Sequence, residues 1–288
     1  MQGVDHYENF PVASWLCPRP LRAPIVAIYH FARTADDLAD EGDASAAQRL
    51  ADLSDYRGDL GRVLAGEPPS ARWQRVFAPL ATEIARHRIP GQPLHDLLDA
   101  FEQDVRHTAA GVRYQDMPSL LDYCRRSANP VGRLLLHLYG VGDASSLARS
   151  DAICSALQLI NFWQDLGQDL ARDRHYLPLD SLQRHGVDES ALRLSPGNPD
   201  NAQAAQAMIR ELVQQARRLM LQGAPLALDL PGRAGWELRL VAQGGLRICD
   251  RLHACGYRSW VQRPRLGASD LPRLLWRAVR MGRGTGQA

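Results

Sequence analysis

Apolar positions along the chain recur with the period of a helix, and glycine- and proline-rich stretches punctuate the runs. "LRAPIVAIYHFARTADDLADEG" reads as a long helix closed by Gly42. A second runs from about Ala46 to Leu64 and stops at "GEPPS", and a third, around 71–88, ends at "RIPGQP". "LHDLLDAFEQDVRHTAAG" is amphipathic and stops at Gly111. "SLLDYCRRSANPVGRLLLHLYGVG" is a helix interrupted near Asn129-Pro130, because proline lacks an amide donor and crowds the preceding turn. "LQLINFWQDLGQDLARDRHYLP" adds another helix, and "RLSPGNPDN" reads as a loop. Two long helices follow over roughly 201–223 and 234–255, and an arginine-rich one over about 271–281. No run of alternating β-branched residues is long enough for a sheet, and no internal repeat is present. The pattern predicts an all-α chain forming one domain over residues 1–288. The helices flanking 190–200 share one apolar character, which argues against a boundary there.

Composition narrows the function classes. A hydrophobic content of 45% supports a sizeable core and excludes disorder. The formal charge is only +2, with no long basic run, so nucleic acid is not expected as a partner. All 34 positive residues are arginine, which excludes a lysine Schiff base and a lysine-based phosphate loop. Cys17, Cys124, Cys154, Cys249 and Cys255 form no CxxC pair and no zinc spacing, and the histidines show no HExxH. An odd cysteine count without a signal peptide points to reduced thiols in the cytoplasm, and no apolar run reaches the length of a membrane span.

The polar positions inside two of these helices carry the chemistry. Asn161, Asp165 and Asp169 recur at intervals of four among Leu157, Leu159, Ile160, Phe162 and Trp163. Residues four apart on a helix lie about 40° apart and about 6 Å along the axis, so one amide and two carboxylates form a line on an apolar helix. "FARTADDLADEG" places Asp36 and Asp40 on one face of the first long helix, with Asp37 beside them. Two facing carboxylate lines repel each other and raise each other's pKa values, and divalent cations remove that repulsion. Magnesium takes hard oxygen ligands and keeps positions free for water and phosphate, so such a helix pair suits several Mg²⁺ ions over a diphosphate. The metal would then stabilise the charge of a leaving pyrophosphate. Aspartates at i, i+4 also occur as solvated helix faces, and that reading stays open for "DDLADEGD" taken alone. Arg33, Arg172 and Arg174 accompany the clusters, and a guanidinium fork suits phosphate oxygens. For Arg172 a salt bridge to Asp173 is the other reading. Asp104 and Glu102 either support the site from a third helix or form a solvated face.

Together these residues resemble the head-to-head prenyl synthases, the squalene and phytoene synthases. "YHFARTADDLAD" is similar to the family's first aspartate-rich motif and "LQLINFWQDLGQDLARDRHYLP" to its second, with "YCRRSANPVGRLLL" between them. The resemblance runs from about Asp5 to Trp276. "HYENFPVASWLCP", "YCRRSANPVG", "NFWQDL" and "RPRLGASDLPRLLWRA" look most like the hydroxysqualene synthase branch of bacterial hopanoid biosynthesis. The resemblance implies the all-α isoprenoid synthase fold, a helical bundle around a central apolar cavity with Mg²⁺ and a diphosphate at its mouth. It implies conversion of presqualene diphosphate and water to hydroxysqualene and diphosphate. Asp36, Asp40, Asn161, Asp165 and Asp169 would hold metal, Arg33, Arg126, Arg174 and Tyr176 would contact substrate, and Phe10, Tyr29 and Phe31 would be pocket aromatics. For the aromatics, core packing is the other reading.

One departure narrows the reaction. Relatives typically read Tyr-Cys-x-Tyr-Val-Ala-Gly, whereas Arg126 stands here at the tyrosine implicated in cyclopropane formation, the first half-reaction. A guanidinium is no base at neutral pH, so presqualene diphosphate is expected ready-made. Ser127 and Asn129 either hold a water near the helix break or only shape it. "HYENF" lacks the serines that many relatives carry there. No GxGxxG appears, and NADPH is not expected. The rival readings are a squalene or phytoene synthase coupling two farnesyl or geranylgeranyl diphosphates, a chain-elongating prenyltransferase, and a non-catalytic isoprenoid-binding protein. "LPRLLWRAVRMGRG" gathers Arg273, Arg277, Arg280 and Arg283 beside Leu274, Leu275, Trp276 and Val279. That helix either lies at an anionic membrane surface, with hand-off between pathway enzymes at its inner face, or packs back onto the core.

Overall fold

A computed structural model of the chain describes residues 17–194 and 199–282, and among them every regular element is a helix. α1 (Arg19–Asp40), α2 (Ala46–Leu64), α3 (Gln74–His87) and α4 (Gly91–Ala110) follow the expected segments closely. The expected break separates α5 (Met117–Ser127) from α6 (Asn129–Leu138). Ala128 leaves helical geometry at φ −122°, and Pro130 sits in the first turn of α6, where its missing amide removes no helix bond. α7 (Ala144–Ala171) is the longest described helix. Asp143 starts it by accepting the Ser146 amide at 2.9 Å.

The periodic reading missed two short helices after α7, α8 (Leu179–His185) and α9 (Glu189–Leu194). Each has too few turns to display a 3.6-residue repeat. The loop assigned to "RLSPGNPDN" is correspondingly shorter, since Arg193 and Leu194 end α9 and Pro199 begins α10 (Pro199–Gly223). A further short helix, α11 (Leu226–Asp229), precedes α12 (Gly232–Ala254), and α13 (Leu271–Arg280) closes the described chain.

Two apolar cores organise these helices. Phe31, Leu53, Tyr56, Leu60, Phe77, Leu94 and Leu98 tie α1 through α4 together. Trp163, Leu159, Ile160, Leu212, Ile248 and Leu252 tie α7, α10 and α12 together. Each fully buried side chain of this size contributes about 1.5–3 kcal/mol. α6 serves both cores, with Leu134 in the first and Leu136 in the second. α1 thus packs with α3 and α4, and α7 packs with α10, α6 and α12. Between the cores lies a cavity of about 500 Å³, lined from α1 (Ile28, Tyr29), α6 (Leu134, Leu135), α7 (Ile153, Leu157) and α12 (Leu238, Val241). Tyr29 therefore faces the cavity as expected. Phe31 does not: it stacks on Tyr56 at 5.4 Å and meets Phe77 edge-on, with no exposed surface. Two residues along a helix turn a side chain about 200°, which sends Phe31 into the first core. Phe10 and the rest of "HYENF" lie outside the described residues.

Candidate active site

Arg33 and Asp36 of α1 line this cavity, and the last turns of α1 and α7 gather further acidic residues around Asp36. The end of α1 is fixed by Arg49 of α2, whose guanidinium donates to the carbonyls of Leu38, Glu41 and Gly42 at 3.3, 2.9 and 2.7 Å. Those carbonyls lack helix partners, so one side chain satisfies the terminus and holds Asp40 in place. The end of α7 is a Schellman turn. The Arg174 amide donates to the Asp169 carbonyl at 2.9 Å and the Asp173 amide to the Leu170 carbonyl at 3.3 Å, with Asp173 in the left-handed region at φ 55°. The turn folds Arg174 back from α7 toward α1, where it pairs with Asp40.

Charge converges here from three helices. Burial pushes the Asp36 carboxyl up to about 6, with Asp40 adding to the rise and Arg33 opposing it. Burial likewise raises Asp104 of α4 to about 7 against the Tyr123 hydroxyl it accepts at 2.5 Å, and the charges of Asp40 and Asp36 add to the rise. Asp169 rises to about 7 through burial, opposed by Arg174 and reinforced by Asp165 and Asp40. Asp40 therefore acts on carboxylates of α1, α4 and α7 at once. Arg33 pairs with Asp36 at 2.8 Å and Asp37 at 2.7 Å, and Arg263 grips Asp165, one of its two contacts lying at 2.9 Å. Among the described residues neither Asp104 nor Asp169 forms an ion pair. An aromatic wall flanks the acids: Tyr176 stacks on Phe162 at 3.8 Å between centroids and meets Tyr123 at 6.2 Å.

Most of the expected residues meet in this acidic cluster, and the exceptions have physical reasons. Asn161 is exposed rather than inward. It shares a helical face with Leu157, which lines the cavity, and with Asp165, so the polar line of α7 looks onto the opening between the cores. Arg126 does not reach the mouth. It donates to Gln103 at 2.8 Å and Asp122 at 3.1 Å, in a separate polar hollow with Glu102, Arg106 and His107. Glu102 likewise turns away, toward Arg57 and Arg106. Asn129 is buried and accepts the Ser155 hydroxyl at 2.9 Å, which gives it a packing role at the helix break. Asp173 pairs with Arg193, leaving Arg172 beside Asp40, Asp104 and Arg174 in a small hollow. Arg263 was not singled out from the sequence, because no local spacing links it to an aspartate 98 positions earlier. Glu237, a second carboxylate lining the cavity besides Asp36, was missed for the same reason.

The donor set suits a hard divalent cation. Carboxylates outnumber the arginines paired with them, and Asp36, Asp104 and Asp169 are pushed toward neutrality first by burial and then by neighbouring carboxylates. Among the described residues no three acidic, histidine or cysteine side chains surround one point. Each ion would therefore take few protein ligands and complete its shell with water and phosphate oxygens, as magnesium commonly does.

Comparison with protein families matches residues 4–272 to Squalene/phytoene synthase, and the chain belongs to that family. It is 34% identical to the hydroxysqualene synthase of Rhodopseudomonas palustris, over 85% of this chain and 79% of the relative. It is 35% identical to that of Sinorhizobium fredii, over 87% and 80%. Among solved structures, the squalene synthase HpnC from Alicyclobacillus acidocaldarius aligns with a TM-score of 0.77 and 35% identity, covering 88% of this chain and 90% of that one.

Proposed function

We propose that the chain converts presqualene diphosphate and water into hydroxysqualene and diphosphate, residues 1–288 acting as one domain. The observation that carries this reading is the convergence of Asp40, Asp104 and Asp169 with Arg174 around Asp36, which lines a largely apolar cavity. Asp36, Asp40, Asn161, Asp165 and Asp169 would hold Mg²⁺ ions directly or through water. When bound, the metal supplies positive charge to the diphosphate as its bond to carbon breaks. Arg33 and Arg174 exchange their aspartate partners for diphosphate oxygens and fix the leaving group. Tyr29 and the apolar side chains of α6, α7 and α12 enclose the isoprenoid and keep bulk water from its carbocation. Tyr176, stacked on Phe162 between acid and apolar surface, holds the seam of the two regions.

Arg126 sets the limit of the reaction. It occupies the position of a family tyrosine and lies in the separate polar hollow, so we assign the chain the second half-reaction alone. No helix among the described residues is long and apolar enough to cross a membrane. Substrate and product are largely hydrocarbon, so we place their exchange at a peripheral contact with the inner membrane face, with hand-off to neighbouring enzymes. Incubation with presqualene diphosphate and Mg²⁺, without NADPH, is expected to give hydroxysqualene. Failure to form it would refute the reading. Rapid conversion of farnesyl diphosphate alone to presqualene diphosphate or squalene would establish the coupling reaction instead.

A further inference from the structure

α13 divides its surface into three sectors. Leu274 and Ala278 are buried against the body, and Arg277 pairs with Asp250 of α12 at 2.8 Å. Leu271, Leu275, Trp276 and Val279 are 55%, 47%, 58% and 65% exposed. Helical geometry gathers these four within a sector of about 140°, and Arg273, Arg277 and Arg280 within an adjoining one of about 60°. Arg280 lies over the Trp276 ring at 4.8 Å, joining the two sectors. The helix thus keeps one apolar face for the core and presents a second, larger one outward. Exposed side chains of this size, adjacent on one helix, mark an interaction surface.

The charge pattern names the occupant. From Leu271 to Gly282 every charged residue is an arginine. Two copies of this helix packed together would bring like charges into contact, whereas an anionic bilayer accepts the apolar stripe and the arginines at once. A tryptophan bearing a guanidinium on its face suits the boundary between headgroups and hydrocarbon. The preceding segment ties this face to the mouth of the cavity. Arg263 in that segment grips Asp165, and Asp270, next to the first residue of α13, is held by Arg247 and Arg251. We infer that α13 is an interfacial helix that docks the enzyme on anionic lipid bilayers, with Leu271, Leu275, Trp276 and Val279 entering the headgroup boundary. The inference goes beyond the proposed reaction and does not depend on it.

Co-sedimentation of the full chain with phosphatidylglycerol-containing vesicles and with pure phosphatidylcholine vesicles tests it. The wild-type chain is expected to bind the anionic vesicles preferentially, and less at high salt. Leu275→Glu and Trp276→Glu should each weaken that binding about tenfold or more. Arg273→Gln should weaken it by a smaller factor. All three variants should keep the wild-type melting temperature and turnover of detergent-dispersed substrate. Absence of vesicle binding, equal binding to neutral vesicles, or unchanged binding by Trp276→Glu would overturn the proposal. So would a wild-type dimer that Trp276→Glu dissociates, which would assign the face to a second copy.

Discussion

Buried aspartates in this molecule behave in opposite ways at two places. Asp270 accepts Arg247 at 2.7 Å, Arg251 at 2.8 Å and the Gly267 amide at 2.9 Å. Burial alone would raise its pKa, but these donors outweigh burial and bring it down to about 2. In the acidic cluster burial again comes first, and there the arginines that oppose it are themselves countered by other carboxylates. Asp36 rises to about 6, and Asp104 and Asp169 to about 7. The side chain is the same, and the sign of the shift is set by whether hydrogen-bond donors and positive charge outweigh burial. A balanced aspartate anchors the fold, here the junction of α12 and α13. A crowded one disfavours the cation-free folded state, and it makes sense where a metal–diphosphate complex brings the missing charge.

The largest expected effect breaks the functional half of that contrast. Asp36→Ala and Asp165→Ala should each reduce magnesium-dependent pyrophosphate release on the order of a hundred- to a thousandfold. Circular dichroism should show the helical fold retained, and a loss below tenfold would remove these aspartates from the reaction. The structural half is tested by Asp270→Asn, expected to lower stability at pH 7 by about 2–3 kcal/mol, because it removes the charge that two half-buried arginines share. The folded pKa lies below the unfolded value of about 3.9, so the stabilisation is complete above that pH and is lost as pH falls through about 2. Urea unfolding of Asp270→Asn across pH should therefore show a flatter acid limb between those values. Gly167→Ala should cost about 1–3 kcal/mol, since its Cβ would stand 2.7 Å from the Trp260 carbonyl oxygen, a backbone atom with little room to yield. The displaced segment carries Arg263, so chemical-shift or crosslinking probes should register a loosened contact with Asp165.

The contrast also explains how far the sequence could be read. Helix periods and proline breaks located the long helices because each depends on neighbours within a turn or two. The two acidic rows were legible for the same reason, being single-helix patterns at four-residue spacing. What joins them was not. Arg263 reaches Asp165 from the far end of the chain, and Asp104 meets Tyr123 across two helices. Arg126 shows the converse, a residue matched to a motif whose side chain leaves for a different hollow, drawn by Gln103 and Asp122. Phe31 takes the core-packing reading open to it and Tyr29 the cavity, because "AIYHF" offers two faces to two different apolar environments. α13 packs one face on α12, as one of the two readings weighed for it has it, while another face stays exposed.

The smallest expected effect sharpens the comparison most, because its sign is unusual for a site residue. Asp169 titrates near 7 in the fold and near 3.9 in the unfolded chain, so its ionised form is disfavoured by folding. Its unfavourable contribution begins above about pH 4 and grows as pH rises toward 7. An asparagine side chain cannot ionise, so Asp169→Asn should raise the stability of the metal-free protein at pH 7 by about 1 kcal/mol and reduce the decline of stability across that window. Thermal melts in a chelating buffer measure it. Adding Mg²⁺ and pyrophosphate should then stabilise the wild-type chain more than the variant, since only the former offers the charged ligand. A destabilised Asp169→Asn would mean that this carboxylate is balanced like Asp270, and the distinction between the two sites would fail.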